Sequence, residues 1–351
     1  MTSRERFSLA LNHREADRIP IHDSPWGTTV SRWHKEGLPQ NVSPGQYFGY
    51  ELAGFGGDIS FQLPTELIEE TDEYTVVKNS DGAIVKNWKN MTSTPEKRDF
   101  TIKDRNTWEE YKDRMKYNDT RVNFNAVESC KKTRQEGKFV TFNAAIGYDR
   151  TQGVVGSVNL LMAILDDPEW VKDMFRINAE LVITVAEEMM AKGFEFDGAF
   201  LYDDNGYRNA TFFSTAAYKE LLFPYHKMLF DFFKSKNLPT ILHTCGCVNA
   251  FVPYYIEAGL TCLQPLEVKA GMDLIELKKR YGEHLAFMGG IDVRCMASDD
   301  PSAIEEEIKT KIPFAKKGGG YIYHSDHSVP DNVSFPKYKR TMELVMKYGR
   351  Y

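Results

Sequence analysis

Eight short apolar runs, each ending in polar residues, alternate with amphipathic stretches along most of a 351-residue chain. The runs lie near 18–24, 58–64, 138–144, 197–204, 239–245, 261–268, 284–292 and 319–326. Each is short enough for a strand buried on both faces, which loses the strict polar alternation of a half-exposed sheet. The stretches between them have helical spacing. Residues 167–193 open with Asp167 and Pro168 and close at Gly193, a good pair of helix stops. Residues 214–236 and 334–348 behave alike. Eight βα repeats predict a (β/α)8 TIM barrel, with an N-terminal helical extension ahead of it. The long gap between strands two and three carries YTVVKNSDGAIVKNWK, whose Ser80-Asp81-Gly82 is turn chemistry between alternating runs. Two helical segments follow, near 105–116 and 121–136. This gap is read as a β-hairpin and helix insertion on one domain spanning 1–351.

Composition narrows the function classes. Hydrophobic residues are 42% and charged residues 27%, the balance of a globular enzyme. Lys plus Arg number 44 against 50 for Asp plus Glu, so a nucleic-acid partner is not expected. No apolar stretch approaches the roughly 18 residues that span a bilayer, and the charged start lacks a signal-peptide core. Five cysteines are too few and too scattered for a disulfide framework. The expectation is a cytoplasmic protein with reduced thiols and no membrane partner.

In such a barrel the C-terminal strand ends build the site. Polar residues collect there: Asp23, Asp58, Asn143, Asp203, Asp204, His243, Cys245, Gln264, Glu267, Asp292, His324, Asp326 and His327. Asp23 and Asp292 are equally suited to capping the next helix. The adjacent Asp203-Asp204 pair is less easily dismissed, because like charges in one cleft call for a cation or a proton. In PTILHTCGC, His243 and Cys245 are two apart at a strand end and therefore share a face. Nitrogen plus thiolate suits zinc, which in catalytic sites takes three protein ligands and keeps one position open. Cys247 lies past the strand. The third ligand must come from another strand end, and HSDHS (324–328) offers His324, Asp326 and His327. The plain alternative is a small buried thiol beside Gly246, a role also assigned to Cys262 and Cys295. His226, in a helical pattern, reads as a packed or surface residue. Trp26, Phe61, Tyr148 and Tyr207 follow strands one to four and are candidate walls of a largely apolar substrate pocket, although core packing explains aromatics equally well.

The stretches RERFSLALNHREADRIP, LLFPYHK, ILHTCGC and YIYHSDHSVP resemble the uroporphyrinogen decarboxylase superfamily, which includes corrinoid-dependent methyltransferases. The resemblance covers nearly the whole chain and implies the same barrel. Decarboxylases carry an Arg-rich loop after the first strand that grips substrate carboxylates; here the position reads HDSPWGTT, without arginine. Asp58 matches their aspartate after the second strand, and His327 their late histidine. The methyltransferase branch binds zinc through a His-X-Cys pair and a later Cys; His243 and Cys245 match the pair, and the later ligand falls at His327. The chain looks most similar to the branch that removes methyl groups from methoxylated aromatics.

That resemblance implies Zn2+ held by His243, Cys245 and His327, and Asp203 or Asp204 orienting an imidazole or relaying a proton. The methyl group would pass to cobalamin on a partner corrinoid protein, since the cobalamin-binding pattern D-x-H-x-x-G is missing from this chain. A homodimer is compatible with it. Rival readings are decarboxylation of a small acid and a non-catalytic barrel that binds a tetrapyrrole or metabolite. Metal content separates the first rival, because the decarboxylases need none.

Overall fold

A computed structural model describes every residue except Ser93. Eleven strands are assigned among the described residues: β1 (Leu52–Phe55), β2 (Glu66–Glu70), β3 (Tyr74–Lys78), β4 (Ala83–Trp88), β5 (Glu96–Phe100), β6 (Phe139–Ala145), β7 (Gly198–Tyr202), β8 (Thr240–His243), β9 (Cys262–Gln264), β10 (Ala286–Met288) and β11 (Tyr321–Ile322). Seven form one parallel sheet in the order β1-β6-β7-β8-β9-β10-β11. The eighth position is filled by residues 20–22, which carry a single bridge to Tyr323 rather than a strand. His22 N–H donates to Tyr323 O at 3.1 Å and Tyr323 N–H to Pro20 O at 2.9 Å; on the other side Glu51 N–H donates to Ile21 O at 3.0 Å. Pro20 has no N–H to offer, so pairing here stays short. The ring closes as the expected (β/α)8 barrel.

Two expectations shift. The second barrel strand is β1, six residues before the run 58–64, which is loop. Its sequence, LAGF followed by two more glycines, hides it from a hydrophobicity count. The glycines are required by packing: a Cβ on Gly54 would fall on the Asn143 amide, and one on Gly56 on the Asn143 carbonyl. The hairpin is real, as β3 and β4, but it lies inside a four-stranded antiparallel sheet, β2-β3-β4-β5. The outer strands ELIEE and EKRDF are almost wholly exposed and so carried no apolar signal.

The helices behave largely as their caps foretold. Pro168–Ala191 starts on Asp167, whose carboxylate accepts from Trp170 N–H. Phe335–Tyr348 starts on Ser334. The stretch 214–236 is broken instead: Thr215–Ala217, a π-turn over Tyr218–Leu222, then Phe223–Ser235 with Pro224 in its first turn. Such a turn is a local departure often found beside functional residues.

The inside of the barrel is stratified. The N-terminal helix Ser3–Leu11 plugs the floor, where Phe7, Ala10 and Leu11 meet Phe139, Phe200, Ile241, Cys262, Ala286, Met288 and Ile322. Side chains two residues further along a strand stand one layer higher on the same face. Phe200, Ile241, Cys262 and Ile322 are therefore succeeded by Tyr202, His243, Gln264 and His324. An apolar floor gives way to a polar upper layer within one residue pair.

Candidate metal centre at the barrel mouth

In that upper layer Asp204, His243 and Cys245 bring one ligand atom each to within 4.8 Å of one another. His243 Nε2 lies 3.3 Å from Cys245 Sγ and 3.5 Å from Asp204 Oδ1. A tetrahedral ion with bonds of about 2.0–2.3 Å requires ligand atoms about 3.5 Å apart, so the spacing fits zinc. Backbone contacts lock the arrangement: Cys245 N–H donates to Asp204 Oδ1 at 2.7 Å and Gly246 N–H to Glu267 Oε2 at 2.7 Å. Gly246 has φ +78°, and a Cβ there would strike Gly206, so only glycine lets the loops after β7 and β8 lie this close.

The imidazole is held in one orientation. His243 Nδ1 faces Gln264 Oε1 at 2.5 Å, which places the ring proton on Nδ1 and the lone pair on Nε2, toward Cys245 and Asp204. Gln264 is itself buried, and its Nε2 lies 3.4 Å from His324 Nε2. His324 Nδ1 donates to Ser325 O at 2.7 Å. Burial pushes the His324 pKa below its ordinary value, and the ring serves as a neutral prop for Gln264. Burial, then Asp204 and Glu267, hold the Cys245 thiol well above its usual range. A dication at this point would reverse that balance and favour thiolate, so the donor set and its charges suit a metal.

The other expected residues are placed as follows. Asp326 accepts from Val268 N–H at 2.9 Å and Val293 N–H at 3.0 Å, which commits both oxygens to the scaffold; burial pushes it up to about 6. His327 does not join the three-residue group; its ring stands edge-on to Trp26 at 6.0 Å between centroids. Asp204, expected beside the metal as an orienting or relaying group, instead offers a ligand atom. Asp203 is fully buried: Oδ1 accepts from Asp149 N–H at 2.7 Å and Oδ2 lies 2.8 Å from His226 Nε2, while His226 Nδ1 meets the Tyr218 hydroxyl at 2.9 Å. His226 is thus a packed histidine that braces Asp203. Asp58 accepts from Ser60 N–H at 2.8 Å and Gln62 Nε2 at 3.1 Å within its own loop. Burial opposes its charge, but these bonds outweigh it and hold the carboxyl below its ordinary value. Asp292 is a helix cap, accepting from Arg294 N–H, as expected. Asp23 is not; its Oδ2 accepts from the hydroxyls of Ser325, Tyr338 and Tyr323.

A cavity of about 490 Å³ adjoins the cluster, lined by Gly57, Ile59, Asn143, Ala144, Ala145, Asp149, Gly153 and Tyr202, with Asp81, Lys97 and Arg150. Tyr202 links it to the cluster, 5.4 Å from the His243 ring. None of the four expected aromatic walls lines it. Phe61 and Tyr148 are core residues, 1% and 0% exposed; Tyr207 is exposed, and Trp26 stands by His327. Asp149 was not singled out from the sequence. Burial, then Asp204, push it up to about 6. Its position just past a strand end, in IGYDR, was the available signal. A hollow of about 690 Å³ lies under Met1–Leu9 at the opposite barrel end, away from the strand C-termini where barrel chemistry is built.

Fold and mouth define a (β/α)8 barrel protein whose polar side chains converge where barrel enzymes work. The chain belongs to the uroporphyrinogen decarboxylase family: the sequence model described as Uroporphyrinogen decarboxylase (URO-D) matches residues 103–348. Among solved structures, a methyltransferase from Methanosarcina mazei superposes with TM-score 0.66 at 14% identity, over 99% of each chain. At that identity the likeness establishes the fold. A glycosylated endo-β-1,4-xylanase from Gloeophyllum trabeum matches at TM-score 0.41 and 12% identity, over 64% of this chain and 81% of that one, too distant to bear on function. No curated protein matches the sequence. No described helix is long and apolar enough to cross a membrane.

Proposed function

We propose that this protein is a zinc-dependent methyltransferase that takes a methyl group from a small methoxylated aromatic and delivers it to cobalamin carried by a partner corrinoid protein. The observation that carries the reading is the Asp204–His243–Cys245 cluster, with the imidazole tautomer set by Gln264. His243, Cys245 and Asp204 would hold the ion, and His327 is the alternative third ligand. When bound, zinc would supply Lewis acidity to an ether oxygen whose departure water alone does not assist.

The remaining work falls to the chain. Gln264 keeps the His243 proton on Nδ1. Asp203 anchors the helix Gly147–Val155 through Asp149 N–H and so fixes where Asp149 faces the cavity. Asp149, whose Oδ1 accepts from Gln152 Nε2 at 2.8 Å, is placed to lend a proton to the departing oxygen. Gly57, Ala144 and Ala145 are small walls that leave room for a flat ring. The missing arginine loop and the modest cavity speak against a porphyrinogen with eight carboxylates.

Elemental analysis of protein purified without chelator or metal-affinity resin tests the reading. About one zinc per chain is expected from a three-ligand site. Fully active protein free of zinc would overturn it.

A further inference from the structure

The helix Ser157–Asp166, SVNLLMAILD, carries no charge before its last residue, yet the fold buries only one side of it. Leu160, Ala163 and Ile164 are buried. Val158, Met162 and Leu165 are 75%, 55% and 78% exposed, with Leu161 half-buried among them. These four residues stand at i, i+3, i+4 and i+7, one continuous stripe on one helix face. Exposed apolar side chains scattered singly are ordinary. A full stripe on a helix that is apolar all round is the face of a buried helix, and here nothing in the chain covers it.

Both ends of the helix are unsatisfied as well. Gly156 precedes it without a side-chain cap, and the first turn holds no acidic residue. Ser157 Oγ turns back to Gln152 Oε1 at 2.5 Å. At the other end Asp166 is exposed, where a carboxylate opposes the partial negative charge of the helix C-terminus. Its neighbour Asp167 binds Arg105, whereas Asp166 pairs with no described residue.

The stripe is its own complement. Laid antiparallel on a copy of itself, with the two-fold axis between Leu161 and Met162, it sets Val158 against Leu165 and Leu161 against Met162, each pair twice. The same register brings Asp166 of each chain beside the uncapped N-terminus of the other, where its charge is favoured. A two-fold contact between identical patches demands such self-complementarity, whereas a foreign partner has no cause to match both the apolar register and the end charges.

We propose that this protein pairs with a second copy of itself through the helix Ser157–Asp166, in an antiparallel two-fold contact centred on Leu161 and Met162. The contact lies one residue beyond Gly147–Val155, the helix that carries Asp149 and Gly153 to the mouth cavity. Pairing thus braces the cavity wall from outside.

Sedimentation equilibrium of the full chain reads the association directly and needs no methyl transfer, so its outcome is separate from the enzymatic reading. Wild-type protein is expected to be dimeric at micromolar concentration. Met162→Glu sets two carboxylates against each other at the dry centre of the contact and should raise the dimer Kd at least about 100-fold. Asp166→Arg puts a cation at each uncapped N-terminus and should raise it about ten-fold, the scale of two helix-end contacts. Asp166→Glu should leave it unchanged. Both positions are exposed in the single chain, so far-ultraviolet circular dichroism checks that each variant keeps its fold. A wild type that stays monomeric in the micromolar range, a dimer that survives Met162→Glu, or one indifferent to Asp166→Arg overturns the proposal.

Discussion

Replacing Gln264 by Leu isolates the device that orients the metal-facing imidazole. Gln264 is 2% exposed and close to leucine in volume, so the change removes hydrogen bonds without opening a cavity. His324 keeps a partner, because Ser24 Oγ lies 3.3 Å from its Nε2 and Ser325 O still accepts from Nδ1. The one group left without a partner is His243 Nδ1. Freed of Gln264, the ring proton can move to Nε2, the atom facing Cys245, which then has no lone pair to offer a metal at the cluster. Loss of such an outer hydrogen bond weakens metal binding by about 10–100-fold, or about 1.4–2.7 kcal/mol. The assay is competition for zinc with a chromophoric chelator at pH 7.5, with a thermal melt to confirm folding. A zinc affinity within two-fold of wild type, in a folded variant, would refute the reasoning.

Other consequences follow from the same geometry. Cys245→Ser should lose zinc and methyl transfer together, since a hydroxyl is a poor ligand beside a thiolate; retained zinc would remove the thiol from the site. Asp204→Ala should lose zinc and His327→Ala keep it, and the reverse pattern in elemental analysis would make His327 the third ligand. Asp203→Ala strands His226 Nε2–H and Asp149 N–H in the core, so a loss of about 3 kcal/mol or more is expected in urea unfolding; an unchanged midpoint would contradict the anchoring role. Asp326 has a folded pKa raised to about 6 by burial, so its contribution to stability is greatest below its unfolded value near 4 and is lost as pH rises through 6. Relative to Asp326→Asn, wild type should lose about 2–3 kcal/mol between pH 4 and 7; a pH-independent difference would contradict that burial.

Much of the barrel was legible because strands buried on both faces and capped helices leave local signals. His243 and Cys245 were legible for the same reason, since a two-residue spacing at a strand end fixes a shared face. What was hidden depends on distant chain. The strand Leu52–Phe55 was masked by glycines that exist to admit Asn143. Asp204 reaches the cluster because the loops after β7 and β8 cross at Gly206 and Gly246, a contact no spacing reveals. Phe61 and Tyr148 follow strands as wall residues would, but both are buried, Phe61 against Trp108 and Tyr148 against the Phe212–Phe213 segment. Lys97 sits in an exposed, polar strand whose single bulge turns it inward. Tertiary contact decides each of these cases.

The most direct test is the reaction itself. Purified protein, supplied with zinc and a chemically reduced corrinoid, is mixed with a methoxylated benzoate, and the cobalt absorbance and aromatic products are followed together. The account predicts methylcobalt and the free phenol in equal amounts, both lost in Cys245→Ser. Release of carbon dioxide from uroporphyrinogen, with no methyl transfer from any methoxylated aromatic, would contradict it.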